Sequence, residues 1–311
     1  MRLRIGTRGS QLALWQANHI RDRLLGECPQ VESVEFEVIK TRGDKILDRT
    51  LSKVGGKGLF ITEIEDALRG GRVDLAVHSM KDMPAVLPEG LVIAAVPERA
   101  NPLDAFVARD GSSLTHWQEL HHGAVVGTSS LRRTSQLLSV RPDLQIKPLR
   151  GNVDTRLRKL DEGADGMEAI VLASAGLERL GWGQRITAEF EAELMTPAVG
   201  QGALAIEARE DASELRQILT TLEHRPTRDA TLAERTFLRG VEGSCQVPVG
   251  GFARVKDDAI HLAAFVGSPS GNKMVRLETV GKAGNAEEEG LRLAERILES
   301  GGRAILNDLL G

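Results

Sequence analysis

The feature that most constrains the fold is an alternation of strand and helix patterns that starts again part-way along the chain. Short apolar segments typical of buried strands alternate with segments of helical spacing, which predicts crossover units and a largely parallel sheet. One apolar strand leads into the turn 6–10 (Gly-Thr-Arg-Gly-Ser) and a helix, and another leads into 127–130 (Gly-Thr-Ser-Ser) and a helix. This echo predicts two similar α/β units.

The spacing of apolar residues predicts individual elements in each part of the chain. In the first unit the predicted strands are 3–7, 34–41, 73–78 and 91–96, and the predicted helices are 11–25 and 59–69. In the second unit they are strands 104–109, 124–127, 144–149 and 169–173, and helices 131–140, 152–160 and 175–180. We expect a strand at 203–208 to return to the first unit. A helix over 228–239, strands 260–266 and 274–280 and a helix over 286–298 predict a small α+β domain at the end.

Composition narrows the class of protein. The chain has 311 residues, enough for two or three domains, with 41% hydrophobic and 27% charged residues and a net charge of -4. That charge argues against attraction to nucleic acids or membrane surfaces. We expect a cytoplasmic protein, because no signal segment precedes the first strand, no apolar stretch could cross a bilayer, and two cysteines suit a reducing compartment. Without Cys-x-x-Cys or a His/Cys cluster, no metal site is expected.

Arginines concentrate where predicted strands give way to helices. Between Thr128 and Arg156 the sequence holds five arginines and two aspartates. Free backbone N–H groups and the helix dipole favour an anion at such turns, and hydroxyls and guanidiniums complete the site. Any one arginine can equally be solvated or paired with a carboxylate. Several at successive strand ends favour a ligand site, because parallel sheets bind ligands at their carboxyl edge.

Cys245 is a lone thiol in the segment 243–249 (Gly-Ser-Cys-Gln-Val-Pro-Val), far from Cys28. A thiol without a partner in a loop can anchor a group covalently. We expect that group to be anionic, because the basic residues lie at turns that favour anions.

A polar turn follows the strand pattern 73–78 and contains Lys81 and Asp82. Lys81 can meet a substrate carboxylate, and Asp82 can stabilise a developing cation. An exposed Lys–Asp pair of little energetic weight explains the spacing at least as well. The glycine-rich segment with Lys53 and Lys57 lacks the order of a phosphate-binding loop, which leaves a basic lid or a plain flexible loop.

Taken together, these segments resemble the porphobilinogen deaminase (hydroxymethylbilane synthase) family, in family order over essentially the whole chain. Ser244, where many members have glycine, is a departure that keeps a small residue beside the cysteine. The segments that carry the resemblance are 6–10, 53–60, 78–82, 126–133, 149–156, 197–203 and 242–248.

The resemblance implies the architecture. It implies two similar doubly wound, periplasmic-binding-protein-like α/β domains around an active-site cleft, and a small α+β C-terminal domain that carries the cysteine. The implied ranges are 1–97 with 199–221 for domain 1, 102–196 for domain 2 and 224–311 for domain 3.

The resemblance also implies the chemistry. It implies a dipyrromethane cofactor linked by a thioether to Cys245, head-to-tail condensation of four porphobilinogens with loss of ammonia, and hydrolytic release of hydroxymethylbilane. Asp82 is the implied catalytic residue, and Lys53 and Lys57 would lie on the lid. The implied cofactor-binding residues are Ser79, Lys81, Asp82, Thr128, Ser130, Arg132, Arg133, Arg179 and Gly202. The implied substrate-binding residues are Arg8, Ser10, Gln16, Arg150 and Arg156.

Two other classes share part of this pattern. A non-catalytic two-lobed binder of small anions would have the sheets and the arginines, but it needs no tethering cysteine. A nucleic-acid protein would use arginines too, yet aromatic residues make up only 3% of the chain and tyrosine is absent. The resemblance implies porphobilinogen as the partner, and with it we expect no nucleic acid, no membrane and a monomer.

Overall fold

A computed structural model describes residues 1–41, 61–241 and 247–310. Lys53, Lys57 and Cys245 lie outside these residues, so the predictions made for them stay predictions. The chain divides into two compact units, Met1–Ala100 with Ala203–Asp229 and Asn101–Gly202 with Ala230–Gly311.

The bounds of the elements are as follows. The strands are β1 (Arg2–Thr7), β2 (Ser33–Val38), β3 (Leu75–Ser79), β4 (Leu91–Ala95), β5 (Asp104–Ala108), β6 (Val125–Gly127), β7 (Gln145–Lys147), β8 (Ala169–Ala173), β9 (Ala188–Phe190), β10 (Leu204–Arg209), β11 (Val249–Lys256), β12 (Ala259–Gly267) and β13 (Met274–Lys282). The α-helices are α1 (Gln11–Glu27), α2 (Thr62–Arg69), α3 (Leu131–Val140), α4 (Val153–Asp161), α5 (Ser174–Arg179), α6 (Ser213–Leu219), α7 (Arg225–Gly240), α8 (Ala286–Ile297) and α9 (Arg303–Leu310).

The first unit is built on a five-stranded sheet in the order β2-β1-β3-β10-β4. β1 is parallel to β2 and β3, whereas β10 is antiparallel to both of its neighbours. Helix α1 places Ile20 and Leu24 on one face of this sheet, and α2 places Ile64 and Leu68 in a second apolar cluster together with Ala76 of β3. The late strand therefore returns to the first unit, as the sequence predicts.

The second unit repeats this arrangement in the order β7-β6-β8-β5-β9. β6 is parallel to β7 and β8, and β5 is antiparallel to β8 and β9. Each sheet thus has one reversed strand in the next-to-last position. The prediction of two similar, doubly wound α/β units is confirmed, with the reversed strand as a refinement of the largely parallel sheet.

A three-stranded antiparallel sheet, β11-β12-β13, completes the second unit. Its core joins Phe237 of α7, Val266 of β12 and Leu293 of α8. The small α+β C-terminal domain is confirmed, whereas the exact residue ranges of three domains stay a prediction.

Strand β11 was not predicted, and its glycines explain why. Glycine lowers the strand propensity of a segment, yet here it permits close packing. A Cβ at position 250 would lie 2.7 Å from the ring of Phe265 and 2.9 Å from the carbonyl oxygen of Thr196. The elements β9, α6 and α9 were also missed.

Candidate active site

In the first unit the carboxyl ends of β1 and β3 lie side by side, because these strands are parallel neighbours. Residues predicted to bind cofactor or substrate lie at the ends of these two strands and just after them. Gln16 of α1 donates a hydrogen bond from Nε2 to the Oγ of Ser79, at 2.8 Å. Gln16 is buried, and this bond ties the helix after β1 to the end of β3.

Hydroxyl groups stabilise the turn between β1 and α1. Ser10 is the N-cap of α1, and its Oγ accepts a hydrogen bond from the N–H of Ala13 at 3.3 Å. Thr7 is buried and donates from Oγ1 to the carbonyl oxygen of Ala13 at 3.2 Å. The Ser10 cap satisfies one of the first N–H groups of the helix. Arg8 lies between these residues and is partly exposed.

A 3-10 turn, Met80–Asp82, presents the predicted catalytic carboxylate. Met80 is buried, and its N–H donates to the carbonyl oxygen of Ala203 at 3.0 Å, which anchors the turn to the start of β10. Asp82 is exposed, and among the described residues its carboxylate has no hydrogen-bond or ion-pair partner. It is therefore available to a ligand, and Lys81 beside it is partly exposed.

In the second unit Arg132 and Arg133, in the first turn of α3, both reach the carboxylate of Asp104. Arg132 donates from Nη1 to Oδ2 at 2.7 Å and from Nη2 to Oδ1 at 3.0 Å. Arg133 donates from Nε to Oδ1 at 2.9 Å, and its Nη2 lies 2.7 Å from the same oxygen. The three side chains are buried, with 6%, 6% and 0% exposure respectively.

The charges of this cluster do not cancel. Burial opposes ionisation of Asp104, but the charges and hydrogen bonds of Arg132 and Arg133 outweigh it and hold the pKa of that carboxyl well below its usual range. Burial lowers the pKa of Arg133, against the attraction of Asp104. Two guanidiniums and one carboxylate leave one positive charge in the interior, a setting that favours an additional anion.

The same helix begins at hydroxyl residues. Ser130 is the N-cap of α3, and its Oγ accepts from the N–H of Arg133 at 3.4 Å. The N–H of Ser130 donates to Oγ1 of Thr128 at 3.2 Å. The Oγ of Ser129 donates to the carbonyl oxygen of Leu149 at 2.9 Å and accepts from its N–H at 3.0 Å, which joins the turns after β6 and β7. Hydroxyls therefore surround the N-terminus of α3, whose first turn carries Arg132 and Arg133, and binding of an anion at this turn stays a prediction.

Arg150 and Arg156 flank a glycine turn before α4. Gly151 has φ +115°, and a Cβ there would lie 2.7 Å from Cγ2 of Thr155, so this position requires glycine. Arg156 donates from Nε to the carbonyl oxygen of Gly151 at 2.7 Å. The carbonyl oxygen of Arg150 accepts from Nζ of Lys159 at 3.2 Å. Both arginines are partly exposed at the end of the sheet.

Arg179, at the end of α5, donates from Nη2 to the carbonyl oxygen of Gly202 at 2.7 Å. Burial lowers the pKa of Arg179 to about 10, with a smaller opposing effect from Glu178. Gly202 has φ +85°, a conformation that favours glycine. Two residues predicted to lie near the cofactor are therefore in contact.

Two functional candidates were missed from the sequence. Asp104 begins an apolar strand, and an acid at such a position was a signal for a buried partner. Gln201 donates from Nε2 to Oδ1 of Asp104 at 3.1 Å and to the carbonyl oxygen of Pro102 at 2.7 Å. It lies in the predicted crossing segment, but nothing local indicates that its amide reaches the arginine cluster.

Comparison with known proteins identifies the family. A family model described as "Porphobilinogen deaminase, dipyromethane cofactor binding domain" matches residues 3–217, and "Porphobilinogen deaminase, C-terminal domain" matches residues 229–299. The chain belongs to the porphobilinogen deaminase family. This is a family of enzymes with a dipyrromethane cofactor, so the enzymatic prediction is confirmed, and no comparison favours the non-catalytic anion binder.

Curated relatives named porphobilinogen deaminase match along nearly their whole length. The protein of Desulforudis audaxviator is 54% identical over 302 residues, which cover 97% of this chain and 96% of the relative. Those of Nitrosomonas europaea and Bacillus cereus are 51% and 52% identical, with the same coverage.

Solved structures of periplasmic domains are more distant. The periplasmic VFT2 domain of Bordetella pertussis BvgS aligns at a TM-score of 0.41 and 15% identity, over 71% of this chain and 86% of that one. The aliphatic sulphonate binding protein SsuA of Escherichia coli aligns at 0.38 and 15%, over 78% and 70%. The fold assignment rests on the strand orders. None of the helices in the described part of the chain is long and apolar enough to cross a membrane.

Proposed function

We propose that this protein condenses four porphobilinogen molecules head-to-tail on a dipyrromethane carried by Cys245, releasing ammonia at each addition and finally hydroxymethylbilane. The observation that carries the proposal is the buried cluster of Arg132, Arg133 and Asp104, whose uncompensated positive charge lies at a helix N-terminus within the matched cofactor domain. A ligand rich in carboxylates needs such a setting.

The residues present fit a dipyrromethane. Each pyrrole ring carries an acetate and a propionate, and unpaired carboxylates in a closed site are costly. When bound, this group supplies the free pyrrole α-carbon to which substrate units are added. The residues that would hold it are Ser79, Lys81, Asp82, Thr128, Ser130, Arg132, Arg133, Arg179 and Gly202.

The polar groups at the strand ends that do not hold the dipyrromethane bind the incoming porphobilinogen. Arg8, Arg150 and Arg156 neutralise its acetate and propionate, and bidentate guanidinium–carboxylate pairs fix its orientation. Ser10 and Gln16 add neutral hydrogen bonds. Because Gln16 already bonds Ser79, it links the two sets of groups within the first unit.

Asp82 has the catalytic role. Loss of ammonia leaves an electron-poor, azafulvene-like porphobilinogen, and its pyrrole N–H carries part of the positive charge. A carboxylate that accepts a hydrogen bond from this N–H stabilises the charge where it develops. The exposed carboxylate of Asp82, without a protein partner among the described residues, is free to do so.

The rest of the proposal concerns the segments outside the described residues and the setting of the protein. Cys245 carries the thioether, and Lys53 and Lys57 lie on a basic lid. We expect a cytoplasmic monomer that binds no nucleic acid. The sequence and the family membership support these proposals.

Intact-mass measurement tests the proposal. Purified wild-type protein should carry a dipyrrole adduct, and incubation with porphobilinogen should yield hydroxymethylbilane. Cys245→Ser should lose both. Cys28→Ser is the matched control and should keep both, because Cys28 is buried in the core of the first unit. Unmodified wild-type protein that forms no linear tetrapyrrole would overturn the proposal.

A further inference from the structure

Three ionisable side chains, Glu65, His78 and Glu207, are buried in the interior of the first unit, influence one another electrostatically, and have no part in the chemistry described above. They come from α2, β3 and β10, and their exposures are 5%, 6% and 0%. Fully buried ionisable groups are rare unless they are paired. The cluster therefore calls for a physical reason.

His78 and Glu207 form its hydrogen-bonded pair, with Nε2 and Oε2 3.0 Å apart. In the antiparallel register His78 is opposite Ala205 and Ala76 is opposite Glu207, so the two side chains are diagonal neighbours on one face of the sheet. The same face packs against α2, which contributes Glu65 and apolar residues.

The two buried carboxyl groups of this cluster cannot both be ionised without a large cost in free energy. The Oε1 atoms of Glu65 and Glu207 are buried and have no hydrogen-bond partner among the described residues. Two ionised carboxylates this close in an apolar setting repel each other and lose their hydration. A proton on Glu65 removes this repulsion.

The groups around Glu65 support a proton on this carboxyl. Burial raises the pKa of Glu65, and the charge of Glu207 raises it further. His78 and, on the same helix, Arg69 act in the opposite direction, whereas Asp66 adds to the rise. Strand β1 packs against the same helix through Gly6, where the atoms nearest to an added Cβ belong to the apolar side chains of Val73 and Ile64.

The cluster lies directly behind the proposed catalytic turn. Ser79 follows His78, and the turn that presents Asp82 is anchored by the hydrogen bond from the N–H of Met80 to Ala203, the residue before β10. The pair between His78 and Glu207 therefore links β3, from which this turn emerges, to β10, beside whose start the turn is anchored.

We propose that Glu207 and His78 are positioning residues that hold the end of β3 against the start of β10 and thereby fix the place of Asp82, and that Glu65 holds a proton that removes the repulsion between the two carboxylates. This inference rests on the proposed function, which gives Asp82 its role. Glu207→Gln removes the anion and keeps the shape of the side chain.

Steady-state kinetics with porphobilinogen provide the first test. Glu207→Gln should lower kcat at least about tenfold, the scale expected when a catalytic group is misplaced, with KM within about twofold of wild type. The matched control is Glu289→Gln, a buried glutamate that pairs with Arg292 at the C-terminal sheet, which should keep the wild-type kcat. A folded Glu207→Gln protein with wild-type kcat would overturn the inference.

The hydrogen bond of His78 is measured on the wild-type holoenzyme, so it decides the matter even if Glu207→Gln fails to fold. In ¹⁵N spectra, with His78→Gln used for assignment, Nε2 of His78 should carry a proton that exchanges slowly with solvent, because it is buried and bonded to Glu207. A rapidly exchanging proton at Nε2 would overturn the inference.

Stability against pH tests the proton on Glu65. Because its pKa is raised on folding, wild type should lose stability as the pH rises from about 4, the ordinary range of glutamate, through the folded value. Glu65→Gln should be as stable as wild type near pH 4 and more stable at pH 8. A difference that does not change with pH contradicts the assignment. Wild-type hydroxymethylbilane formation, measured on the same preparations, reports on the proposed function separately.

Discussion

Arg132 and Asp104 form a bidentate ion pair in the interior of the second unit, with both oxygens of the carboxylate in use. Arg132 also donates from Nη1 to the carbonyl oxygen of Thr196 at 2.8 Å, so its guanidinium is held by a side chain and by the backbone. A guanidinium fixed in this way needs little reorganisation when a carboxylate ligand arrives.

Asp104→Asn should destabilise the protein by about 3–5 kcal/mol, because it leaves two buried guanidiniums without their anion. It should also lower the fraction of chains that carry the dipyrrole. Urea unfolding and intact mass measure the two effects. Asp66→Asn is the control, since its pair with Arg69 is exposed, and it should change stability by less than about 1 kcal/mol. Equal effects of the two variants would contradict the importance of the buried pair.

The stability that Asp104→Asn loses should depend on pH, because the pKa of Asp104 is lowered in the folded protein. The ion pair contributes its stability above the ordinary aspartate pKa of about 3.9, and this contribution is lost as the pH falls through the much lower folded value. The difference in unfolding free energy between wild type and Asp104→Asn should therefore be constant from pH 5 to 8 and shrink below pH 4. A difference that grows in acid would show that another group dominates.

Asp82→Ala should nearly abolish turnover of porphobilinogen while the folded protein still carries its dipyrrole. The side chain is exposed, so little stability depends on it. Glu89→Ala, another exposed acid in the same segment, should be as active as wild type. A near-normal rate in Asp82→Ala would remove this carboxylate from the mechanism.

Arg150→Ala and Arg156→Ala should stall elongation more than they harm folding, because each removes a cation at the end of the sheet. Intact mass after a short incubation with porphobilinogen should reveal more partly extended chains than in wild type. Arg158→Ala, an exposed residue on the same helix as Arg156, is the control. An unchanged distribution of intermediates would exclude the role in elongation.

Gly271→Ala should destabilise the protein by about 1–3 kcal/mol through overpacking and by about 1–2 kcal/mol more through left-handed strain. Gly271 has φ +73°, and a Cβ there would lie 2.5 Å from the carbonyl oxygen of Ser135 and from the backbone nitrogen of Ser139, both on α3. At Gly284 an added Cβ would meet no atom within 4 Å, so Gly284→Ala should change the stability little. Thermal unfolding distinguishes the two, and similar melting temperatures would contradict the close approach of α3.

The sequence predicts those parts of the site that depend on neighbouring residues. Ser10 and Ser130 cap their helices, and the turns 6–10 and 127–130 that hold them were predicted, because strand, turn and helix are consecutive there. The strand at 203–208 was recognised by its apolar run. Asp104 escaped notice because its partners, Arg132 and Arg133, are distant in sequence and meet it only when β5 is inserted beside β8. The pairing of His78 with Glu207 likewise depends on the reversed strand.

The insertion of β10 between β3 and β4 has a consequence for synthesis on the ribosome. The first sheet cannot close until residue 209 has emerged, by which time all of 101–202 has left the exit tunnel. Until then β3 and β4 lack the strand that joins them, and their exposed edges can pair wrongly. The first unit therefore completes its sheet only after residues 101–202, which belong to the second unit, have been synthesised.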